Sequence, residues 1–271
     1  TIEVDPTLSF TEAARRRDLT INSMGWDPLT DEILDPHCGR KDLESRPLKA
    51  TDPTHFSEDP LRGLRVAQFA ARFEMTPDAE LISLCSQLDL SQLPAERLLQ
   101  EFRKLLLKGT KPSIGINFLK ESNQLRFFPE LEALIGVPQN PKWHPEGDVW
   151  IHTLMSLDAA AALRVGNTFD DEVLMFGILC HDFGKPGTTE KIDGSIRSHG
   201  HEGAGVPIAK TFMDRLRASK ELVAAVEIVV QNHLAPSQFP QQGAKPAAYR
   251  RLARKLEKAN ISLTLLERVS R

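Results

Sequence analysis

Between residues 56 and about 137, apolar side chains recur at intervals of three and four, and Pro77, Pro94, Pro112 and Pro129 interrupt the pattern. That combination commits the stretch to short helices. A helix of 3.6 residues per turn gathers positions i, i+3 and i+4 on one stripe, and proline ends a helix interior. The spacing predicts helices over 59–73, 78–86, 94–107, 112–122 and 130–135. From 142 onward the pattern lengthens, with helices expected over 149–163, 171–182, 203–217, 220–233 and 246–258. Strand character is confined to the start, at Ile2–Val4 and Glu32–Leu34, on either side of a helical stretch at Ala13–Met24 and ahead of an Asp35-Pro36 turn. The fold class expected is mainly α.

Charge excludes some functions and localises others. The 34 Lys+Arg against 37 Asp+Glu leave a net charge of −3, so the whole molecule is no polycation. Residues 241–271 nevertheless carry eight basic side chains against Glu257 and Glu267, a segment able to track a phosphate backbone or to serve as a solvated helix face. The three cysteines, Cys38, Cys85 and Cys180, lie too far apart in sequence for a disulfide framework or a zinc knuckle. A reducing, cytoplasmic setting is expected. No apolar run approaches the roughly 20 residues a membrane helix needs. The chain opens on what reads as the tail of a strand and stops in a continuing helical pattern, so it is expected to be an internal fragment.

One row of side chains raises a chemical question. In EDPLRGLRVAQFAARF (58–73), Asp59, Arg62 and Arg65 follow at steps of three, beside Val66, Phe69 and Phe73. Asp59 is a good N-cap and Pro60 suits the first helical position, so the helix is expected to start there, with the three charges on one ridge. A guanidinium projecting toward Val66, Phe69 and Phe73 needs a partner. One reading is an Asp59–Arg62 ion pair worth about 0.3–0.5 kcal/mol. The other is a template: an acceptor beside a donor matches the pairing edges of cytosine and adenine and leaves guanine and uracil unsatisfied.

Four segments in order, RRRDLTINSM (15–24), ILDPHCGRKDL (33–43), EDPLRGLRVAQFAARF and AERLLQEFRKLL (95–106), together resemble the bacterial class II tRNA nucleotidyltransferases, the CCA-adding enzymes and the related poly(A) polymerases. The resemblance implies roles. Arg17, Asp18 and Asn22 match a motif that contacts the ribose and phosphates of the incoming nucleotide, and Asp59 and Arg62 match the template pair. Arg65 matches a neighbouring nucleotide contact. Glu96, Arg97, Glu101 and Lys104 match a motif that buttresses the template helix, and Asp35, Gly39 and Asp42 match the segment closing the head. The family often has arginine where Gln68 stands, implying a weaker third contact. Transfer itself needs paired carboxylates holding Mg2+, on an early strand after a Gly-rich turn; no such strand occurs in these 271 residues, which taken alone are not expected to add nucleotides.

Six of the eight histidines fall at 144, 152, 181, 199, 201 and 233. His181 directly precedes Asp182 at the end of an apolar helix, and imidazole with carboxylate suits Mn, Fe, Ni, Mg or Zn without selecting among them. Residues 142–271 resemble the HD phosphohydrolase superfamily, with His152, His181, Asp182, His201 and His233 in its ordered His…His-Asp…His…His pattern, which can support two metals. Lys185 resembles a position that meets substrate phosphate. His144, beside Pro145, is a candidate cap of the helix start, and His199 stands outside the pattern. The family pattern ends with one further aspartate, and none lies between 234 and 271, so the site is expected to be one protein ligand short.

The resemblances together imply a nucleotidyltransferase head remnant (1–50), a helical neck with the nucleotide template (51–140) and an all-α HD domain (141–271). The function they imply is tRNA 3′-end CCA addition from CTP and ATP. They also imply a metal-dependent 2′,3′-cyclic phosphodiesterase or phosphatase using Ni2+, Mn2+, Fe2+ or Mg2+. A poly(A) polymerase, an HD phosphohydrolase with a vestigial head and a non-enzymatic RNA-binding module are the alternatives.

Overall fold

The computed structural model describes residues 7–270; the expected strand at Ile2–Val4 lies outside them. Helix α1 (Phe10–Arg15) starts at a reciprocal cap, in which Ser9 accepts from Glu12 N and the Glu12 carboxylate accepts from Ser9 N. The helical stretch expected over Ala13–Met24 does not continue past it. Arg16 caps α1, Leu19 is extended and fully buried, and only a 3₁₀ turn forms at Thr20–Asn22. Burial of Leu19, a bridge from Leu19 to Ala50 and the bond from Leu19 N to Asp18 outweigh local helix preference. Strands β1 (Gly25–Asp27) and β2 (Glu32–Leu34) pair antiparallel, Gly25 opposite Leu34. Asp35 then closes the turn by accepting from Gly39 N and Arg40 N at the start of α2 (Gly39–Ser45). A Cβ at Gly39 would lie 2.3 Å from Thr20 O, so only glycine lets α2 approach so closely. Asp42 is buried and accepts from Thr20 Oγ1 and Lys49 Nζ, both at 2.8 Å.

The middle of the chain is helical as the proline punctuation predicts. After β3 (Pro47–Leu48) come α3 (Pro53–Phe56) and α4 (Arg62–Phe73), and β4 (Thr76–Pro77) pairs in parallel with β3. Helix α4 begins at Arg62 rather than at Pro60. Asp59 instead turns the preceding loop, its carboxylate accepting from Leu61 N at 3.1 Å. Then follow α5 (Ala79–Ser86), α6 (Ala95–Lys108), α7 (Pro112–Glu121), a 3₁₀ turn at Gln124–Phe127 and α8 (Pro129–Glu132). Helix α4 packs against both α6 and α7.

The remainder comprises α9 (Val149–Ala161), α10 (Thr168–Cys180), α11 (Lys185–Thr188), β5 (Thr189–Ile192), β6 (Ser195–Ser198), α12 (His201–Arg215), α13 (Lys220–Asn232), α14 (Ala235–Gln241), α15 (Pro246–Lys258) and α16 (Leu263–Val269). Helix α10 is buried along its whole length from Asp171 to Cys180, and α6, α9, α13 and α16 surround it. The antiparallel β5–β6 hairpin departs from the all-α expectation for this zone. Its two-residue loop is Asp193-Gly194 with φ of 49° and 78°, the left-handed pair that twists with the strands. Phe102, Phe128, Phe183 and Phe212 meet edge to face at centroid distances of 5.0–6.4 Å, so α6 and the segment before α8 share one core with the later helices. Among the described residues no helix is long and apolar enough to cross a membrane.

Candidate metal centre and nucleotide face

Three helix ends and one helix interior bring the predicted metal ligands together. His152 lies in α9, His181 and Asp182 follow α10, His201 opens α12 and His233 closes α13. The short HDFGK turn fits because Gly184 lies against α12: a Cβ there would meet His201 O at 2.0 Å and Gly205 N at 2.6 Å. His181, His201 and His233 each donate Nδ1–H to a backbone carbonyl, of Ile178, Ser198 and Val230, at 2.7–2.8 Å. His152 Nδ1 donates to Glu146 Oε1 at 2.7 Å. In a neutral imidazole this leaves every Nε2 as a bare lone pair. Those lone pairs face one another: His152 Nε2 and His181 Nε2 are 3.3 Å apart, as are His201 Nε2 and His233 Nε2. Acceptor against acceptor at that distance calls for a cation between them. Ser156 Oγ reaches the His152 Nε2 only at 3.5 Å.

Asp182 completes the arrangement. It is 1% exposed, and neither carboxylate oxygen has a hydrogen-bond partner. Oδ2 lies 3.1 Å from His181 Nε2 and 3.8 Å from His152 Nε2, and Oδ1 lies 3.4 Å from His201 Nε2. Lys185 Nζ is 2.8 Å from Oδ2 as an ion pair, off the hydrogen-bonding direction, while it donates to Gln139 Oε1 at 2.7 Å. A buried carboxylate with both oxygens unbonded is costly in a metal-free protein and ordinary in a metal site. His152, His181 and Asp182 form one group of donor atoms within 4.8 Å of one another, and Asp182, His201 and His233 form a second. The donor set therefore fits divalent cations held by these five residues.

Electrostatics agree. Burial, with the charge of His181 next, lowers the His152 pKa to about 4 and that of His233 to about 3, so both are neutral near pH 7. Burial alone would raise Asp182, but electrostatic attraction from His181 first, then from Lys185 and His233, holds it well below the usual carboxylate range. Burial would also raise Glu146; bonds from its own backbone and from His144 and His152 win, and it sits at about 2.

The ligands line a cleft of about 760 Å3, with Lys142, Trp143 and Arg197 at its rim. His144 does not cap α9, a role taken by Asp148; it donates Nδ1–H to Glu146 at 2.9 Å. His199 is exposed. Ser270 also lines the cleft and donates to the His233 carbonyl. Sequence reasoning passed over Glu146 and Gln139; the only signal was the placement of an acid between two histidines in HPEGDVWIH.

The residues expected to meet the nucleotide are assembled differently from that expectation. Asp59 and Arg62 do not pair. Asp59 Oδ2 binds Arg97 Nη2 at 2.7 Å, and the Arg62 guanidinium donates to the carbonyls of His55 and Arg16 at 2.5 and 2.6 Å. Arg62 sits 6.0 Å from the centroid of Phe56 rather than against Phe69. At the first turn of α4 it swings back to the carbonyl acceptors ahead of the helix, while Val66 is fully buried. Phe69 stacks with Phe73 and takes Arg65 and Arg72 over its ring. Arg65 Nε donates to Asp18 Oδ2 at 2.5 Å, and Asn22 Nδ2 to Asp18 Oδ1 at 3.0 Å, so three expected nucleotide contacts hold one another. Arg17 is exposed. Gln68 is buried and accepts from Arg72. Glu101 is buried and pairs with Lys104, and Glu96 pairs with Arg217 across to the later helices.

Residues 2–49 match the family described as the poly A polymerase head domain, and residues 149–266 match the HD domain. The fold is similar to a tRNA-processing enzyme in an apo form (19% identity, TM-score 0.59, covering 97% of this chain and 67% of that one). It is similar to the Thermotoga maritima CCA-adding enzyme complexed with tRNA-CCA (15%, TM-score 0.58, 97% and 57%). It is also similar to a tRNA nucleotidyltransferase complexed with a primer tRNA and an incoming ATP analog (19%, TM-score 0.55, 98% and 70%). The chain thus spans about two thirds of the length of such enzymes, and at these identities the likeness speaks for the fold. The chain carries, in order, a segment like the poly A polymerase head, a helical middle and an HD domain, on a fold shared with tRNA-processing enzymes.

Proposed function

We propose that this chain is the nucleotide-selecting and phosphohydrolase part of an enzyme that adds CCA to tRNA 3′ ends from CTP and ATP. The division is a head segment (1–50), a template neck (51–140) and an HD phosphohydrolase (141–271). The hydrolase activity rests on one observation: a buried Asp182 with two unbonded oxygens amid four Nε2 lone pairs. His152, His181, Asp182, His201 and His233 would hold Mn2+, Ni2+, Fe2+ or Mg2+. When bound, such a cation supplies Lewis-acid activation of water and of a phosphoester. The chain's own part is to orient the ligands through their Nδ1 bonds, to enclose the substrate in the cleft and to balance phosphate charge through Lys185. Its substrates would be 2′,3′-cyclic phosphates, 2′-nucleotides and phosphomonoesters at RNA ends, with tRNA as the partner. Similar folds crystallised with CTP, tRNA and an ATP analog support the transferase half of the reading.

For nucleotide choice, Asp59 and Arg62 would exchange their present partners, Arg97 and two backbone carbonyls, for the base edge. Arg17, Asp18, Asn22 and Arg65 would meet the sugar and phosphates. Transfer is tested on the full-length protein with tRNA lacking its 3′ end: a need for both CTP and ATP supports CCA addition, whereas long tails from ATP alone indicate a poly(A) polymerase. Asp59→Ala should abolish nucleotide choice and spare hydrolysis of a 2′,3′-cyclic nucleotide. Joint His181→Ala and Asp182→Ala substitution should do the reverse. Loss of both activities from either change, with the fold intact, overturns the assignment of two sites.

A further inference from the structure

The four imidazoles of the cluster are not held alike. His181, His201 and His233 sit at helix ends, and each gives its Nδ1–H to the carbonyl three residues before it. The Ile178 and Val230 carbonyls, in the last turns of α10 and α13, are free to accept, and that of Ser198 ends β6 ahead of α12; carbonyls inside a helix are already spent on the helix ladder. His152 lies within α9, and it reaches out of the helix to the Glu146 carboxylate at 2.7 Å. The same Glu146 oxygen accepts from His144 Nδ1 at 2.9 Å, which fixes the carboxylate between two imidazoles. A carboxylate behind a ligating imidazole fixes its tautomer and orientation and raises its basicity more than a neutral carbonyl does.

The two donor groups are therefore unequal. His152 and His181 face Asp182 Oδ2, with a carboxylate hydrogen-bonded behind one of them. His201 faces Oδ1 beside His233, both bonded behind to carbonyls, the Glu202 carboxylate standing 3.6 Å from His201 Nδ1 without a hydrogen bond. We propose that Glu146, steadied by His144, is a positioning residue that makes the His152–His181–Asp182 half the tighter of two divalent-cation positions, so that this half fills first. The inference rests on the reading of the cluster as a metal centre.

The experiment is a Mn2+ titration of the metal-free chain, with bound metal measured by equilibrium dialysis. It compares wild type, Glu146→Gln and His233→Ala, and checks folding by circular dichroism. Glu146→Gln keeps the shape and loses the charge. It is expected to weaken the tight phase about 10–100-fold and to leave the weaker phase in place. His233→Ala is expected to remove the weaker phase and spare the tight one. If wild type binds a single equivalent, weakening by Glu146→Gln but not by His233→Ala supports the proposal, and the opposite overturns it. Two phases that Glu146→Gln leaves unchanged or shifts equally also overturn it. Should Glu146→Gln fail to fold, Glu146→Asp, which withdraws the same charge by one methylene, is read the same way. A wild type that binds no Mn2+, Ni2+ or Fe2+ sinks the metal centre itself, an outcome distinct from a bound cation indifferent to Glu146.

Discussion

Asp18 shows how far a single side chain can be read in advance. Its neighbourhood in RRRDLTINSM marked it as important, but its partner, Arg65, lies 47 residues away and no local pattern announces it. Burial alone would raise its pKa, yet the hydrogen bond and charge of Arg65, with Asn22 and Leu19 N, hold it below its ordinary value. A carboxylate depressed in the folded state contributes stability fully above the ordinary Asp value of about 3.9 and loses it as pH falls through the lower folded value. Asp18→Asn should therefore cost about 2 kcal/mol at neutral pH. Its stability curve should converge with that of wild type on acidification, as denaturant titrations from neutral to acid pH would reveal. Parallel curves would mean that the Asp18–Arg65 pair carries no charge-linked stability. The same lesson applies to Asp59 and Arg62. Their spacing was visible, but the acceptors ahead of α4 and the guanidinium of Arg97 that capture them come from other elements.

At the scale of elements, the helices of the middle and end were legible because apolar periodicity and proline act locally. The break at 16–19 was not, since the helical periodicity runs through it and only the tertiary burial of Leu19 decides against it. The β5–β6 hairpin carried an Asp-Gly signal, but it occupies only ten residues between strong helices. The HDFGK turn was recognised for its ligands, whereas its geometry depends on how closely α11 meets α12. Gly184→Ala would drive a Cβ against His201 O and Gly205 N, both backbone atoms that cannot rotate away. The start of α12 must then shift and carry His201 with it. We expect a loss of about 1–3 kcal/mol from overpacking together with weakened metal binding. Gly203→Ala, in the same helix with nothing within 4 Å of its Cβ, should instead be neutral or slightly stabilising. Thermal melts and metal titration of the two variants side by side separate a packing effect from mere loss of a glycine. Equal behaviour would refute the close-approach argument.

For the whole molecule, the division into head, neck and HD domain was inferred from motif order, but motifs say little about how such parts adhere. In the structure the neck and the later helices share one hydrophobic cluster running from Leu19 to Val269. The Phe102–Phe128–Phe183–Phe212 group lies inside it, and the ion pairs Arg103–Glu172 and Arg215–Glu130 span the junction. Metal bound among His152, His181, Asp182, His201 and His233 should therefore stabilise more than its own helices. A ligand that binds only the folded state adds about 2.7 kcal/mol at one hundred times its Kd. For a chain of this size each kcal/mol raises the Tm by about 2–4 °C. Saturating Mn2+ should raise the Tm by several degrees, and a chelator should reverse the gain. Because the core is continuous, the shift should also appear in the protection of α4 amides against hydrogen exchange, far in sequence from any ligand. If metal moves only the amides of α9 to α13 and leaves α4 untouched, the neck and the HD segment unfold as separate units, and the shared aromatic core does not couple them.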